Sequence, residues 1–127
     1  MNPLRVSRLL VLTALVVVGG AVAGCKPGGS GQVQTEEQAR TGISKAFGTA
    51  SPEAKALADE AAAALQAQQD AKAFLDLSAL NARQDLTREQ RAAATESMLT
   101  VNKRLSEAAA RGDKEAAKLM DDYRASK

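Results

Sequence analysis

Few residues in this chain of 127 could carry chemistry. There is no His and only one Cys, which excludes a His-based catalytic or zinc site and a disulfide within the chain. Adjacent carboxylates occur at 36–37, 59–60 and 121–122. Neighbouring residues on a helix point about 100° apart, so these pairs do not converge on one substrate atom. Ser, Thr and Lys show no spacing typical of a nucleophilic site, and we therefore expect no enzyme, cofactor, metal site or small-molecule substrate.

The single Cys follows a stretch with the three-part layout of an export signal. Arg5 and Arg8 supply positive charge, an apolar run covers 9–18, and small residues come next. A membrane-spanning helix is the competing interpretation, but it needs about 20 apolar residues. Even a generous count over 9–24 gives fewer than that and includes glycines. Residues 1–24 are therefore predicted to be a signal peptide.

The end of this signal, Val22-Ala23-Gly24-Cys25, resembles the lipobox of bacterial lipoproteins, which has a Leu or similar residue, two small residues and an invariant Cys. The resemblance implies that the Cys25 thiol receives a diacylglycerol. It also implies that the lipoprotein signal peptidase recognises Val22, Ala23 and Gly24 and cleaves before Cys25, whose new amino group is usually acylated. Two or three acyl chains hold a protein stably on a membrane. Lys26 replaces the Asp that favours inner-membrane retention in enterobacterial lipoproteins, which implies the outer membrane rather than the inner.

Cleavage at this position removes the positive charge of the chain. The formal charge of +2 comes from 17 basic and 15 acidic residues, and two of the basic residues leave with the signal. The balanced remainder gives no reason to expect nucleic-acid binding. Residues 25–34, rich in Gly with Pro and Ser, are predicted to be a flexible tether. A helical domain is predicted to follow over 35–127.

Every start and stop signal in this domain is helical, which predicts an all-α fold. The predicted caps are Thr35 with Gln38, Ser51 before Pro52, Thr87 with Gln90, and Asp113. The predicted helices cover about 36–47, 52–82, from Thr87 to about Arg111, and 114–124. No Gly or Pro follows Pro52 within the second of these, so it is predicted to be one long helix.

The two long helices are predicted to form an antiparallel hairpin with short flanking helices, by way of a turn at 84–85. Apolar residues recur at 3–4 spacing on both. They are Leu57, Ala61, Ala64, Ala71 and Leu75 on the first helix, and Ala94, Met98, Val101, Leu105 and Ala108 on the second. This register places Met98 beside Ala71. Because Ala supplies most of the apolar residues, the core is thin, and we expect self-association or an envelope protein partner.

Two further motifs leave alternatives open. Residues 86–90, LTREQ, are similar to the LTxxQ motif of a family of periplasmic helical stress proteins, which implies a chaperone-like or stress-sensing binder. A helix capping box is the alternative interpretation of the same residues. Tyr123-Arg124 near the terminal Lys127 is similar to the end of the murein lipoprotein, whose last Lys is joined to peptidoglycan. The sequence as a whole predicts a lipid-anchored envelope protein that acts structurally or by protein contact.

Overall fold

The computed structural model describes residues 33–127, and over this range the chain forms five α-helices and no strand. The helices are α1 (Glu36–Ala46), α2 (Pro52–Gln66), α3 (Asp70–Ala82), α4 (Arg88–Ala110) and α5 (Lys114–Ala125). The predicted all-α fold is confirmed, and most helix limits lie within two residues of the prediction. The signal peptide and residues 25–32 of the predicted tether lie outside the described range.

Both predicted capping boxes are formed. At the start of α1, Thr35 Oγ1 accepts from the Gln38 N–H at 3.2 Å, and the Gln38 side chain accepts from the Thr35 N–H at 3.0 Å. Thr87 and Gln90 repeat the arrangement at the start of α4 with the same two distances. Each box satisfies two backbone donors that have no partner within the helix, which fixes where α1 and α4 begin.

The predicted caps of α2 and α5 have different outcomes. Asp113 caps α5 as predicted, since its Oδ1 accepts from the backbone N–H groups of Glu115 and Ala116 at 3.0 and 3.1 Å. Ser51 makes no side-chain capping bond, so that part of the prediction is wrong. Pro52 does occupy the first turn of α2, where its fixed φ suits the helix and its missing N–H costs nothing.

The single helix predicted over 52–82 is wrong, because the chain turns between α2 and α3. Gln68 has φ +56°, in the left-handed region that a non-glycine residue seldom adopts. The Gln68 N–H donates to Leu65 O at 3.1 Å, and the Gln69 N–H donates to Ala64 O at 2.9 Å. These two bonds form a Schellman motif, the standard way to end a helix on a left-handed residue.

The turn also changes which side of the chain is buried. The predicted stripe continues to Ala71 and Leu75, but both are exposed, Leu75 by 58%. The buried residues of α3 are instead Ala73, Phe74, Leu77 and Leu80. Measured around one continuous helix, this face lies about 110° from the buried face of α2. A reversal of chain direction lets both faces point into one core.

Helices α1 to α4 form a closed four-helix bundle. Each packs on its neighbours in the order α1, α2, α3, α4, and α4 returns to α1. α3 and α4 are antiparallel, since Asp70 meets Arg104 at one end and Asn81 meets Thr95 at the other. This confirms the hairpin but shifts its register: Met98 lines a groove with Ser78 and does not pair with Ala71.

Alanine fills much of the interior, with a few large side chains between the helices. The large fully buried ones are Phe47, Ile43, Leu65, Leu77, Leu80 and Val101. α5 packs on α4 and covers one side of the bundle. Its Tyr123 ring meets the Phe74 ring edge to face, with centroids 4.9 Å apart.

Candidate functional site

The predicted lipid-attachment site lies outside the described residues. This applies to Cys25 and to the three predicted recognition residues, Val22, Ala23 and Gly24. Within 33–127, no helix is both long and apolar enough to cross a membrane. The structure does describe where the chain enters the domain and which surfaces lie around that point.

The entry point is fastened to α4. Gln34 Nε2 donates to Glu96 Oε2 at 2.6 Å, and Thr100 Oγ1 donates to the Gln34 carbonyl at 3.0 Å. Thr100 is buried. Gln34, which the sequence assigns to the tether, is thus held on the bundle more than 60 residues away along the chain. The described domain therefore begins at this clamp, one residue before the predicted boundary at Thr35.

A charged cluster next to this clamp joins three helices. Arg104 of α4 donates through Nη1 to Glu36 of α1 at 2.7 Å and through Nε to Asp70 of α3 at 3.1 Å. All three side chains are partly buried, with exposed fractions between 20% and 32%. Asp70 Oδ1 makes no hydrogen bond, although the Arg104 Nε lies within 3.1 Å of it. The cluster fixes the starts of α1 and α3 against α4.

Burial decides the protonation behaviour of Asp70. Loss of solvent raises the pKa of its carboxyl above the usual value, and this outweighs the opposing effect of Arg104. Glu36 adds a smaller repulsion in the same direction. The ionised carboxylate is thus less favourable in the folded state than in water. This is the behaviour of a structural ion pair that bears an energetic cost.

An open groove of about 460 Å³ runs between α3, α4 and the end of α5. Its lining residues are Ser78, Asn81, Ala82, Thr95, Met98, Leu99, Asn102, Tyr123 and Lys127. Ser78 Oγ and Asn102 Oδ1 are buried and have no hydrogen-bond partner among the described residues. Such atoms are normally met by water or by a polar group of a bound molecule.

Lys127, which resembles the attachment residue of the murein lipoprotein, lies at this groove. Lys127 is exposed, and its Nζ lies 4.9 Å from the centre of the Tyr123 ring, at cation–π distance. The neighbouring Arg124 pairs with Asp121 at 2.9 Å. The amine of Lys127 is accessible at the surface.

The adjacent carboxylates that the sequence singles out go to separate basic partners. Asp59 pairs with Lys55, Glu60 with Lys72, Asp121 with Arg124, and Asp122 with Lys118. Each of these four carboxylates thus has its own basic partner. Over 33–127, no cluster of three or more Cys, Asp or Glu side chains is arranged to hold a metal ion.

The LTxxQ-like segment has a complete structural account. Leu86 is buried under the bundle, and Thr87 and Gln90 form the capping box of α4. Gln90 is itself buried. Two of the motif's fixed positions thus start one helix, as in the capping interpretation, and the third belongs to the core.

Sequence reasoning missed the clamp and the charged cluster. Gln34 lies 62 residues before its partner Glu96, and Glu36 lies 68 residues before its partner Arg104. No local sequence pattern connects partners so far apart. The even distribution of charge on α4 also hides Arg104 among its neighbours. Only the packing of α1 onto α4 brings these residues together.

One exposed apolar stripe was also missed. Ala71, Leu75 and Ala79 lie four residues apart on α3, so they share one face, and all three are exposed. The sequence assigned the first two to the core.

No protein-family model, curated protein or solved structure matches this chain.

Proposed function

We propose that this chain is a lipid-anchored lipoprotein of the bacterial envelope, on the outer membrane, whose helical domain acts by protein contact. The observation that carries the proposal is Val22-Ala23-Gly24-Cys25 directly after an apolar run with a basic start. No other residue in the chain has a chemical context of this kind. Catalysis has no comparable support, because the ionisable groups described above pair with one another.

The described domain fits such an anchor in one respect. The clamp at Gln34 fixes the chain roughly nine residues after Cys25, and nine residues reach at most roughly 30 Å when fully extended. An acylated Cys25 would therefore keep the bundle close to the membrane surface. The domain would meet partners in that layer and not at a distance.

We assign the contact to the stripe Ala71–Leu75–Ala79 on α3. Leu75 is one of only two large apolar side chains that are strongly exposed within 33–127; the other, Val33, lies next to the clamp. The flanking residue Lys72 is paired with Glu60 and Asp76 at 3.0 and 2.8 Å, so one cation and two carboxylates form the charged rim of the stripe. Small apolar residues around a single Leu allow another helix to approach closely.

The anchor is tested by metabolic labelling with an alkyne fatty acid, followed by membrane fractionation. Wild type and the matched control Lys26→Ala should be labelled and recovered with the outer membrane. Cys25→Ala should lose the label and retain the signal peptide. Label that persists in Cys25→Ala, or wild type free of label, would refute the anchor.

The contact surface is tested separately with a photo-crosslinking residue in intact cells. At position 75 it should trap a discrete product. At Thr41, which is exposed on the polar side of α1, it should not. Equal products at both positions would show that the stripe has no special role, whatever the result of the labelling.

A further inference from the structure

The turn between α2 and α3 is made of residues that favour the alternative, a continuous helix. Ala67, Gln68 and Gln69 are all good helix formers, and no Gly or Pro follows Pro52 as far as Ala82. Yet Gln68 must adopt φ +56° for the turn to close. Local sequence preference and the observed chain path therefore disagree at this one residue.

The other Schellman motif of the chain shows the contrast. α4 ends with the Asp113 N–H bonded to Ala108 O and the Gly112 N–H bonded to Ala109 O, both at 3.0 Å. Gly112 occupies the left-handed position there, at φ +98°. The same backbone device thus uses the expected glycine after α4 and a strained glutamine after α2. Short strained connections of this kind promote exchange of elements between copies.

We infer that this chain also forms a dimer with a second copy of itself, in which α2 and α3 join into one helix over 52–82 and the copies exchange α1 and α2. The partner is thus another molecule of the same sequence. The joined helix would be about 46 Å long. This inference is independent of the proposed lipid anchor, since it depends on the turn alone.

The contacts that cross between the two halves of the chain can all be made again between copies. Gln34 with Glu96 and Thr100, Glu36 with Arg104, Ala39 with Ser97, and Glu60 with Lys72 each join the part before the turn to the part after it. The exchange therefore keeps the core and loses only the strained turn. The buried faces of α2 and α3 lie about 110° apart on a joined helix, so the two bundles would occupy different sides of it.

The test uses the ion pair Lys72 Nζ–Glu60 Oε2, which is 3.0 Å long and exposed. Light and heavy-nitrogen copies of the full chain, purified in detergent, are unfolded together, refolded at high concentration and coupled with a carbodiimide. The carbodiimide joins Lys72 to Glu60 by an amide bond, and the products are digested for mass spectrometry. In a monomer, this amide closes a loop within a single peptide, which contains one nitrogen isotope. In the exchanged dimer it joins peptides of both isotopes.

Two variants at the turn make the result decisive, and neither alters the cross-linked pair. Gln68→Gly should reduce mixed-isotope links by about 5- to 30-fold per turn, because it relieves the left-handed conformation in the monomer. Two turns, one from each copy, are lost when the dimer forms. Gln68→Ala should increase them by about twofold per turn, because Ala favours helix more than Gln does. Circular dichroism checks that both variants fold.

Three results would overturn the inference. One is Lys72–Glu60 links that are single-isotope at every concentration. Another is mixed links whose yield is the same in Gln68→Gly as in wild type. The third is a dimer by light scattering that gives no mixed Lys72–Glu60 link, because it would have formed through another surface.

Discussion

Replacing Gln68 by Gly should stabilise the monomeric bundle, which is the opposite of what glycine does elsewhere in a helical protein. At φ +56° a residue with a Cβ is strained by about 1–2 kcal/mol relative to glycine. Glycine loses more backbone entropy on folding, which costs about 0.5–1 kcal/mol. The side chain of Gln68 is exposed, so its removal costs little packing. The balance is a gain of about 0.5–1 kcal/mol in the free energy of unfolding.

Urea unfolding followed by far-UV circular dichroism, at a protein concentration low enough to keep the chain monomeric, measures this gain. A gain of this size in a domain of this length also raises Tm by about 2–8 °C. Ala63→Gly is the matched control, since it is exposed but lies within α2, and it should destabilise by about 1 kcal/mol. Gly112→Ala should also destabilise by about 1 kcal/mol, through backbone strain alone, because no other atom lies within 4 Å of the added Cβ. Destabilisation by Gln68→Gly equal to that by Ala63→Gly would refute the reasoning.

Three further predictions concern the entry side of the bundle and the start of α4. Arg104→Ala should destabilise by about 2–4 kcal/mol in urea unfolding, because Asp70 and Glu36 keep partly buried charges without their shared partner; a loss under 0.5 kcal/mol would contradict this. Folding raises the pKa of the Asp70 carboxyl, so its ionisation lowers the free energy of unfolding at pH values above that pKa. Below about pH 4 the carboxyl is protonated in both the folded and the unfolded chain, and the effect disappears. The stability of Asp70→Asn relative to wild type should therefore increase as the pH rises through the acid range, and a difference that shrinks would contradict the assignment. Thr87→Ala should cost about 1 kcal/mol by removing the capping box, whereas the exposed control Thr41→Ala should change stability by much less.

The starts of α1 and α4 could be predicted because they depend on residues close in sequence. Thr35 with Gln38 and Thr87 with Gln90 carry their own hydrogen-bond partners three residues away, and the structure forms both. Gly112 likewise marks the end of α4 because glycine tolerates the left-handed conformation. Local chemistry of this kind is independent of how the helices later pack.

The turn at Gln68 could not be found from such signals, because glutamine normally continues a helix. A subtler signal was present: three of the four large apolar residues of α3, namely Phe74, Leu77 and Leu80, do not continue the stripe of α2. A single straight helix could not bury both faces, so the change of face indicated a turn between α2 and α3. The assignment of Ala71 and Leu75 to the core concealed this signal. In an alanine-rich sequence nearly every face contains some apolar residues, so the periodicity is a weak guide.

The residues proposed to be functional also differ in whether their partners are close or distant in sequence. The lipobox-like pattern at 22–25, on which the proposed anchor depends, is contiguous and visible in the sequence. The clamp at Gln34 and the Arg104 cluster instead join the start of the domain to α4 across the whole fold. Partners so distant are set by helix packing and not by any local pattern. The stripe at Leu75 became visible only when the structure exposed the side chain that periodicity had assigned to the core.

The proposed function depends on a lipid on Cys25 that holds this domain at the membrane. Mass spectrometry of the N-terminal peptide, from chain purified out of bacterial membranes, tests it most directly. If Cys25 is lipidated, the peptide begins at Cys25, residues 1–24 are absent, and the mass includes a diacylglyceryl group and an amide-linked acyl chain. An N-terminal peptide that still contains residues 1–24, with a free Cys25 thiol, would contradict it.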